Sequence, residues 1–310
     1  MSERSERTNG RSSERRSGLV LVDKPAGWTS HDVVGRMRRI LKTRRIGHTG
    51  TLDPFATGVL VTCINKGTRL VRFLSGEDKE YLATMRLGSA TDTGDLTGRV
   101  VTPIAETSHI TFDLVNEALS HFHGRIKQTP PMYSAKKIGG KKLYEIARRG
   151  LEVEREPIEV EIKELELREI QESSCFIRVV CSSGTYVRTL AEDIGKRLGV
   201  GAHLIELRRT RAGSFGIDSV VTLEQLAQYA ETDQIQRITV PMVDALPFEL
   251  LQLNDEERTA IRHGRPIRRC GTWLNGTQAR LCDQRRQLMA IGVYNRDRQH
   301  WDPQIVLFAE

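Results

Sequence analysis

Short segments of the chain are apolar throughout, or alternate apolar with polar residues, over lengths typical of β-strands. Elsewhere apolar residues recur at every third or fourth position, as on the packed face of a helix. Val33, Val34 and Met37 form such a set, and Ser30 is predicted to be the N-cap of their helix. The pattern therefore predicts a fold that mixes strands with helices. Further predicted strands are residues 19–22, 59–63, 81–87, 176–181 and 203–209, and further predicted helices are residues 112–122 and 187–198.

Two prolines mark a change in composition late in the chain. Pro241 and Pro247 bracket a short apolar segment, and we place a domain boundary between residues 246 and 247. Beyond it, Asn254 with Glu257 three residues later predicts a capped helix that ends at Gly264. Predicted strands at 279–282 and 287–294 complete a small, mostly β module, residues 247–310.

Charge is distributed unevenly along the chain. Residues 1–17 contain no apolar side chain after Met1, so they are predicted to form a disordered, solvated tail. The 310-residue chain has a formal net charge of +7, and its basic residues form clusters. A single basic cluster usually only solubilises a protein, but four of them favour a polyanionic partner such as nucleic acid. The clusters begin at Arg36, Lys136, Arg208 and Arg262.

Cysteine usage and hydropathy indicate the compartment. The five cysteines lack the CxxC or CxxH spacing of a structural zinc site. Cys175 and Cys181 lie about 20 Å apart on one predicted strand, too far for a disulfide. We therefore expect a reducing cytoplasm. The apolar segments are too short to cross a bilayer, so we expect no membrane association.

The segment GHTGTLDPFATGVL, which begins at Gly47, is the strongest candidate for a functional site. It places Asp53 among glycines, with His48 five residues earlier. Gly47, Gly50 and Gly58 are predicted to let the backbone approach a ligand closely. An aspartate that precedes a proline is usually a turn residue, and that alternative stays open on the residues alone.

Other polar groups are weaker candidates. Asp92 and Asp95 have the oxygen chemistry of a magnesium site, but two aspartates beside a glycine usually form a turn. His121 and His123 lie near a predicted helix end, where histidines are usually surface residues. We therefore predict no metal site.

Four further motifs follow the aspartate segment in order. They are KEYLATMRLG from Lys79, TPPMYSAKKIGGKKLYEIARRG from Thr129, CSSGTYVRTLAEDIG from Cys181 and GAHLIELRRT from Gly201. The five motifs resemble the bacterial tRNA pseudouridine synthase B (TruB) family over about residues 18–216. The module after Pro247 resembles the small PUA-type RNA-binding module of bacterial members. The resemblance implies an α+β fold for residues 18–246, with a mixed, largely antiparallel central sheet flanked by helices.

The resemblance also implies a reaction. Members isomerise one uridine of the tRNA T-loop, at tRNA position 55, to pseudouridine without cofactor or metal. Asp53 matches the nucleophile of the family's GxLDP motif, and that role agrees with the chemistry, because the glycosidic bond must break beside an anionic group. Attack at C1′, attack at C6 and a glycal route all remain open, and the resemblance favours the glycal route.

Further roles follow from matched positions. Tyr81 matches the tyrosine that stacks on the flipped base, and His48 matches the histidine that fills the vacated place in the T-loop. Arg188 matches the arginine that pairs with the catalytic carboxylate and keeps it ionised. Tyr186 and Leu207 match further pocket positions. Taken alone, a tyrosine such as Tyr81 is more often a core residue of a strand, and an arginine such as Arg188 is more often a surface charge of a helix.

Several cations are predicted to contact RNA backbone without reading sequence. The family's thumb loop corresponds to about residues 124–152, with Gly139 and Gly140 as its hinge. Where the family usually has a glycine and then a lysine after the catalytic strand, this chain has Asn65 and Arg69, and Arg69 is predicted to contact substrate phosphate. The other predicted backbone contacts are Lys136, Lys137, Lys141, Lys142, Arg208 and Arg209.

Two functions remain as alternatives to a tRNA pseudouridine synthase. The first is a tRNA-binding and folding protein without essential catalysis, and the Asp53, Tyr81 and Arg188 set favours the enzyme over it. A guide-RNA-dependent relative is disfavoured by the short C-terminal module. The expected partner is the tRNA T-arm, bound by a monomer, because no apolar segment is left over for a subunit interface.

Overall fold

A computed structural model describes residues 17–134, 136–147, 149–151 and 153–307. The predicted tail, residues 1–17, lies outside these ranges except for Ser17. Over the described residues the chain forms seventeen strands and seven α-helices. The helices are α1 Ser30–Ile40, α2 Val71–Leu74, α3 Phe112–Ser120, α4 Leu143–Ala147, α5 Val187–Arg197, α6 Leu223–Glu231 and α7 Asp255–Arg262. All of them are too short or too polar to cross a bilayer.

The strands build one large sheet, one smaller sheet and a hairpin. The large sheet contains β1 Gly18–Lys24, β2 Ile46–His48, β3 Thr57–Ile64, β4 Lys79–Leu87, β5 Gly124–Gln128, β8 Ile158–Gln171, β9 Ser174–Cys181, β10 Ala202–Ala212, β11 Phe215–Gly216 and β12 Thr239–Val240. The hairpin is β6 Lys137–Ile138 with β7 Lys141–Lys142. The smaller sheet contains β13 Glu249–Gln252, β14 Ile267–Arg268, β15 Gln278–Cys282, β16 Leu288–Asn295 and β17 His300–Val306.

The large sheet is mixed but mostly antiparallel. Its order is β12-β1-β3-β10-β4-β9-β8-β5, with β2 on β3 and β11 on β10. Among its described pairings, only β3 with β10 is parallel. The predicted α+β class with a largely antiparallel sheet is therefore confirmed, as are the predicted strands on β1, β3, β4, β9 and β10.

The start of α1 differs from the prediction by one residue. Thr29, not Ser30, is the N-cap: its side chain accepts a hydrogen bond from the Asp32 N–H, and the Asp32 carboxylate accepts one from the Thr29 N–H. Ser30 is fully buried, and its hydroxyl bonds instead to the backbone of Leu52. Buried hydroxyls are usually hydrogen-bonded, and this one bonds to the neighbouring loop rather than to the end of the helix.

The hairpin of β6 and β7 turns at Gly139 and Gly140. Both have positive φ, 57° and 81°, as a two-residue type I′ turn requires. The two glycines predicted to form a hinge therefore form the tight turn of a hairpin inside the 124–152 insertion.

The smaller sheet and α7 form the mostly β module after Pro247. The predicted capping box is present, because Asn254 accepts from the Glu257 N–H and Glu257 accepts from the Asn254 N–H. The helix ends before Gly264, which has φ +67°. The predicted strands at 279–282 and 287–294 are confirmed as β15 and β16.

The two sheets share a hydrophobic core. Leu21 and Val61 of the large sheet belong to the same buried cluster as Ile291 and Ile305 of the smaller one. Arg280 of β15 also donates to the carbonyl oxygens of Val243 and Phe248, at 2.6 and 2.7 Å. Unfolding of the smaller sheet therefore exposes the core of the larger one.

This shared core predicts a single unfolding transition. Ile291→Ala removes a fully buried side chain from it and is expected to cost about 2–5 kcal/mol. Because both sheets depend on that cluster, thermal unfolding is expected to shift as one transition. Ile104→Ala is the matched control: Ile104 is 86% exposed, so its loss is expected to cost less than about 0.5 kcal/mol. Two separate transitions in calorimetry would contradict the shared core.

Candidate functional site

A cleft of about 240 Å³ opens beside the loop that joins β2 to β3. It contains polar groups on one side and apolar groups on another, as small-molecule and base pockets do. The motifs singled out in the sequence meet there, although they lie far apart along the chain. Its lining includes Thr49, Gly50, Thr51, Leu52, Asp53, Ser75, Lys79, Tyr81, Ser134, Thr185, Tyr186, Val187, Arg188, Leu207 and Arg209.

Three buried polar side chains hold the loop that carries Asp53. Ser30 accepts from the Leu52 N–H at 2.9 Å and donates to the Leu52 carbonyl at 3.2 Å. Lys24 donates to the Pro54 carbonyl at 3.1 Å, and Arg209 donates to the Gly50 carbonyl at 3.0 Å. The backbone on each side of Asp53 is therefore fixed from below by groups that water does not reach.

Lys24 is buried completely at the end of β1. Its ammonium group donates to the carbonyl oxygens of Pro25, Trp28 and Pro54, so all three of its protons have acceptors. Burial lowers its pKa to about 8, against the pull of Asp53, which favours the charged form. The lysine thus joins the turn after β1 to the loop that carries Asp53.

Asp53 makes a bidentate ion pair with Arg188, the second residue of α5. The arginine Nε donates to Oδ2 at 2.8 Å, and its Nη2 donates to Oδ1 at 3.0 Å. The guanidinium is 4% exposed, whereas the carboxylate is 30% exposed and faces the cleft. The geometry leaves carboxylate surface free to meet a ligand while the arginine fixes its orientation.

The pKa of Asp53 reflects two opposing effects. Burial raises the pKa of the carboxyl above its ordinary value, and the Arg188 charge and hydrogen bonds pull it down without cancelling the rise. The prediction that the arginine keeps the carboxylate ionised therefore describes only one of the two effects. A carboxylate with a raised pKa is a stronger base than one in water.

The sequence predicts only a turn residue or a magnesium ligand at Asp95. Its Oδ1 accepts hydrogen bonds from Thr93 and Thr97, which confirms the turn. Its other oxygen lies 3.7 Å from Nη1 of Arg188, and the side chain is 6% exposed. The arginine therefore has carboxylates on two sides. The spacing of residues along the chain gave no sign of this contact, because it depends on how the loop folds over α5.

Tyr81 and Leu207 form an apolar wall of the cleft. Both are nearly buried, at 8% and 6% exposed, and they lie on the paired strands β4 and β10. Tyr186 lines the cleft from the residue before α5 and is held by Gln128, which bonds to both its N–H and its carbonyl. Burial raises the pKa values of both tyrosines, so both are neutral at pH 7.

His48 ends β2, directly before the cleft residue Thr49. Its ring meets that of His31 edge to face, with centroids 5.6 Å apart. Its Nδ1 is buried and has no hydrogen-bond partner among the described residues. Burial, with the nearby charges of His31 and Arg209, lowers its pKa to about 4.

The arginines predicted to contact RNA are placed differently from one another. Arg208 is 40% exposed and forms a bidentate pair with Asp23. Arg209 is 2% exposed, lines the cleft and donates to the carbonyls of Gly50 and Val59, and its contact with RNA backbone stays a prediction. Alternation along β10 explains the difference, because neighbouring residues point to opposite faces.

Arg69 lies outside the cleft lining. It lies in the last turn of a 3₁₀ helix, Asn65–Leu70, and donates to the carbonyl of Val306 in the smaller sheet. Asn65 has φ 52°, the left-handed conformation in which asparagine is tolerated best after glycine. Lys136 is half-buried at the start of the hairpin. The side chains of Lys137, Lys141 and Lys142 lie outside the described residues.

Close packing of the backbone, rather than the predicted contact with a ligand, explains the glycine at position 58. Its φ is +100°, and a Cβ there would lie 2.2 Å from the carbonyl oxygen of Arg209 on the parallel strand β10. Gly50 does face the cleft: its Cβ would lie 3.5 Å from Nη1 of Arg209. Gly58 lies outside the cleft lining, and close approach of the backbone to a ligand stays a prediction for Gly50.

Comparison with known proteins places these features in one family. Residues 38–187 match the model of the TruB family pseudouridylate synthase N-terminal domain, and residues 188–247 match that of the tRNA pseudouridylate synthase B C-terminal domain. The tRNA pseudouridine synthase B of Geobacter sulfurreducens is 45% identical over 250 residues, 80% of this chain and 82% of that protein. The enzyme of the same name from Symbiobacterium thermophilum is 52% identical over 213 residues, 68% of this chain and 71% of that protein.

The fold comparison agrees. A crystal structure of a Cbf5-Nop10-Gar1 complex matches with a TM-score of 0.74 and 27% identity, over 96% of this chain and 87% of that one. Shared sequence, the mixed sheet and the aspartate cleft together define a pseudouridine synthase, an isomerase. The chain belongs to the TruB family of pseudouridylate synthases.

The environment of His48 predicts its titration. Its imidazole is expected to titrate near pH 4, because burial disfavours the charged ring. An unfolded histidine titrates near 6.5, so stability is expected to fall as the pH decreases from about 6.5 towards 4. NMR of the ring Cε1–H signal checks the midpoint. In the His48→Gln variant, the loss of stability between about pH 6.5 and 4 is expected to be smaller. A titration midpoint of about 6.5 for His48 would contradict the prediction, because it would show that the ring is hydrated.

Proposed function

We propose that this chain isomerises uridine 55 in the T-loop of tRNA to pseudouridine, with Asp53 as the catalytic carboxylate. The observation that carries the proposal is the ion pair between Asp53 and Arg188, with the carboxylate facing a base-sized cleft. Burial of an ion pair costs several kcal/mol of desolvation. A buried ion pair at the mouth of a cleft therefore indicates a functional site more often than a purely structural contact. The tRNA specificity rests on the names of the relatives.

The reaction requires no redox partner. The bond between C1′ of the ribose and N1 of uracil breaks, the base turns, and a bond forms between C1′ and C5. The hydrogen on C5 leaves as a proton and N1 regains one, so atoms and electrons balance. Asp53 serves either as nucleophile at C1′ or C6 or as base towards the ribose, and its raised pKa suits each of these roles.

The target base must leave the T-loop stack before it reaches the carboxylate. Tyr81 and Leu207 supply an apolar wall for the uracil ring, and Tyr186 closes the cleft on the α5 side. His48 directly precedes the cleft residue Thr49, and its ring is neutral at pH 7, so it can stack against loop bases without the cost of desolvating a charge. We assign it to the place that the flipped base leaves.

Backbone contacts are expected beyond the cleft itself. Arg208 is 40% exposed on the face of β10 opposite the cleft residues Leu207 and Arg209, and the segment 124–152 carries further lysines. These cations attract phosphate without reading sequence. We propose that a monomer acts on the T-arm without guide RNA, although the solved neighbours include an H/ACA RNP bound to a substrate RNA.

Tritium release tests the proposal. The purified chain is mixed with a T-arm stem-loop labelled with tritium at C5 of the target uridine. Wild type is expected to release the label, because isomerisation frees the C5 hydrogen. Asp53→Asn is expected to reduce the rate by at least ~10³-fold while RNA binding persists, since the amide keeps the shape but not the basicity.

A matched control makes the same change elsewhere. Asp92 lies outside the cleft lining, and its carboxylate accepts a hydrogen bond from the Arg99 N–H. The Asp92→Asn variant is expected to release tritium at the wild-type rate. Equal release by wild type and Asp53→Asn would exclude the assignment of Asp53. Tight binding with no release by any protein would leave the tRNA-folding alternative.

A further inference from the structure

Gln128 is buried at the point where the chain leaves the large sheet and continues towards the β6–β7 hairpin. It is the last residue of the edge strand β5, and it is 1% exposed. Glutamine is rarely buried so fully unless its amide is bonded on both sides. The residue after it begins the segment that contains the β6–β7 hairpin, so Gln128 marks the root of that insertion.

The amide of Gln128 binds the backbone of Tyr186 in both directions. Its Oε1 accepts from the Tyr186 N–H at 3.0 Å, and its Nε2 donates to the Tyr186 carbonyl at 3.3 Å. Tyr186 immediately precedes α5 and has no side-chain cap. Its N–H instead donates to a side chain from 58 residues earlier in the chain.

A second contact joins the same two segments. Nη2 of Arg188 donates to the carbonyl of Tyr133, inside the insertion, at 2.8 Å, and to Oδ1 of Asp53 at 3.0 Å. The first residues of the insertion thus touch both Tyr186 and the arginine that orients the carboxylate. Displacement of this root would change the direction of the Arg188 fork and with it that of Asp53.

We propose that Gln128 is a positioning residue for the reaction: it locks the root of the 124–152 insertion to the Tyr186–Arg188 turn and so sets the orientation of the ion pair. This inference rests on the proposed function. It extends that function to a residue outside the cleft lining, and it ties the insertion mechanically to the catalytic carboxylate.

Hydrogen exchange tests the lock without reference to activity. In Gln128→Ala the Tyr186 amide loses its acceptor, and its exchange is expected to accelerate at least tenfold. The Leu190 amide, which bonds to the Tyr186 carbonyl within the first turn of α5, is expected to keep its protection. Unchanged exchange at Tyr186 would overturn the inference.

Single-turnover kinetics test the consequence. Gln128→Ala is expected to lower the rate of tritium release at least tenfold, with the Kd for the T-arm within about twofold of wild type. Thr239→Val is the matched control. Thr239 lies on β12, at the opposite edge of the sheet from β5, and its hydroxyl donates to the Ile235 carbonyl. Loss of that bond is expected to leave the rate unchanged.

An isosteric variant covers the case in which the alanine variant fails to fold. In Gln128→Glu an ionised carboxylate repels the Tyr186 carbonyl, whereas a protonated one restores both bonds. The rate relative to wild type is therefore expected to rise as the pH falls, and a ratio independent of pH would overturn the inference. Active wild type with an equally active Gln128→Ala refutes the positioning role alone. Inactive wild type refutes the proposed function as well.

Discussion

The site depends on the fork that Arg188 makes with Asp53. One guanidinium supplies donors to the carboxylate, to the carbonyl of Thr93 and to that of Tyr133. Four segments that are distant in sequence therefore meet at a single side chain. A planar group with donors in fixed directions transmits orientation as well as charge, and lysine, with one flexible ammonium, lacks that property. Removal of the arginine would leave a half-buried carboxylate uncompensated and three segments unconnected.

Beneath the ion pair, rigidity comes from cations that bond to backbone carbonyls rather than to carboxylates. Lys24 and Arg209 both act in this way on the loop of Asp53. Such contacts satisfy the backbone of an irregular loop, which has no ladder or helix to do so. The charge of Lys24 also favours the ionised form of Asp53 against the effect of burial. Lys24 therefore contributes both to the geometry of the loop and to the electrostatics of the site.

The sequence predicted the elements better than the contacts between them. Strand and helix positions followed from local periodicity, and the five motifs identified the cleft residues Asp53, Tyr81 and Arg188. Local patterns were insufficient where a side chain serves a distant segment. Ser30 looked like a helix cap but bonds to Leu52, and Arg209 resembled its exposed neighbour but lies on the buried face of β10. Gln128 gave no signal, because its partner is 58 residues away.

The parallel pairing of β3 with β10 has a consequence for synthesis of the chain. Arg209 of β10 bonds to the Val59 carbonyl of β3 across 150 residues, so β3 leaves the ribosome long before β10. At ordinary elongation rates that interval is roughly 8 to 30 s. During it β1 and β2 can already pair with β3, but the end of β3 at Thr57 and Gly58, which pairs with β10, stays open. That end follows the Asp53 loop directly, so the cleft cannot be complete, nor the open end protected from another chain, until β10 has been synthesised.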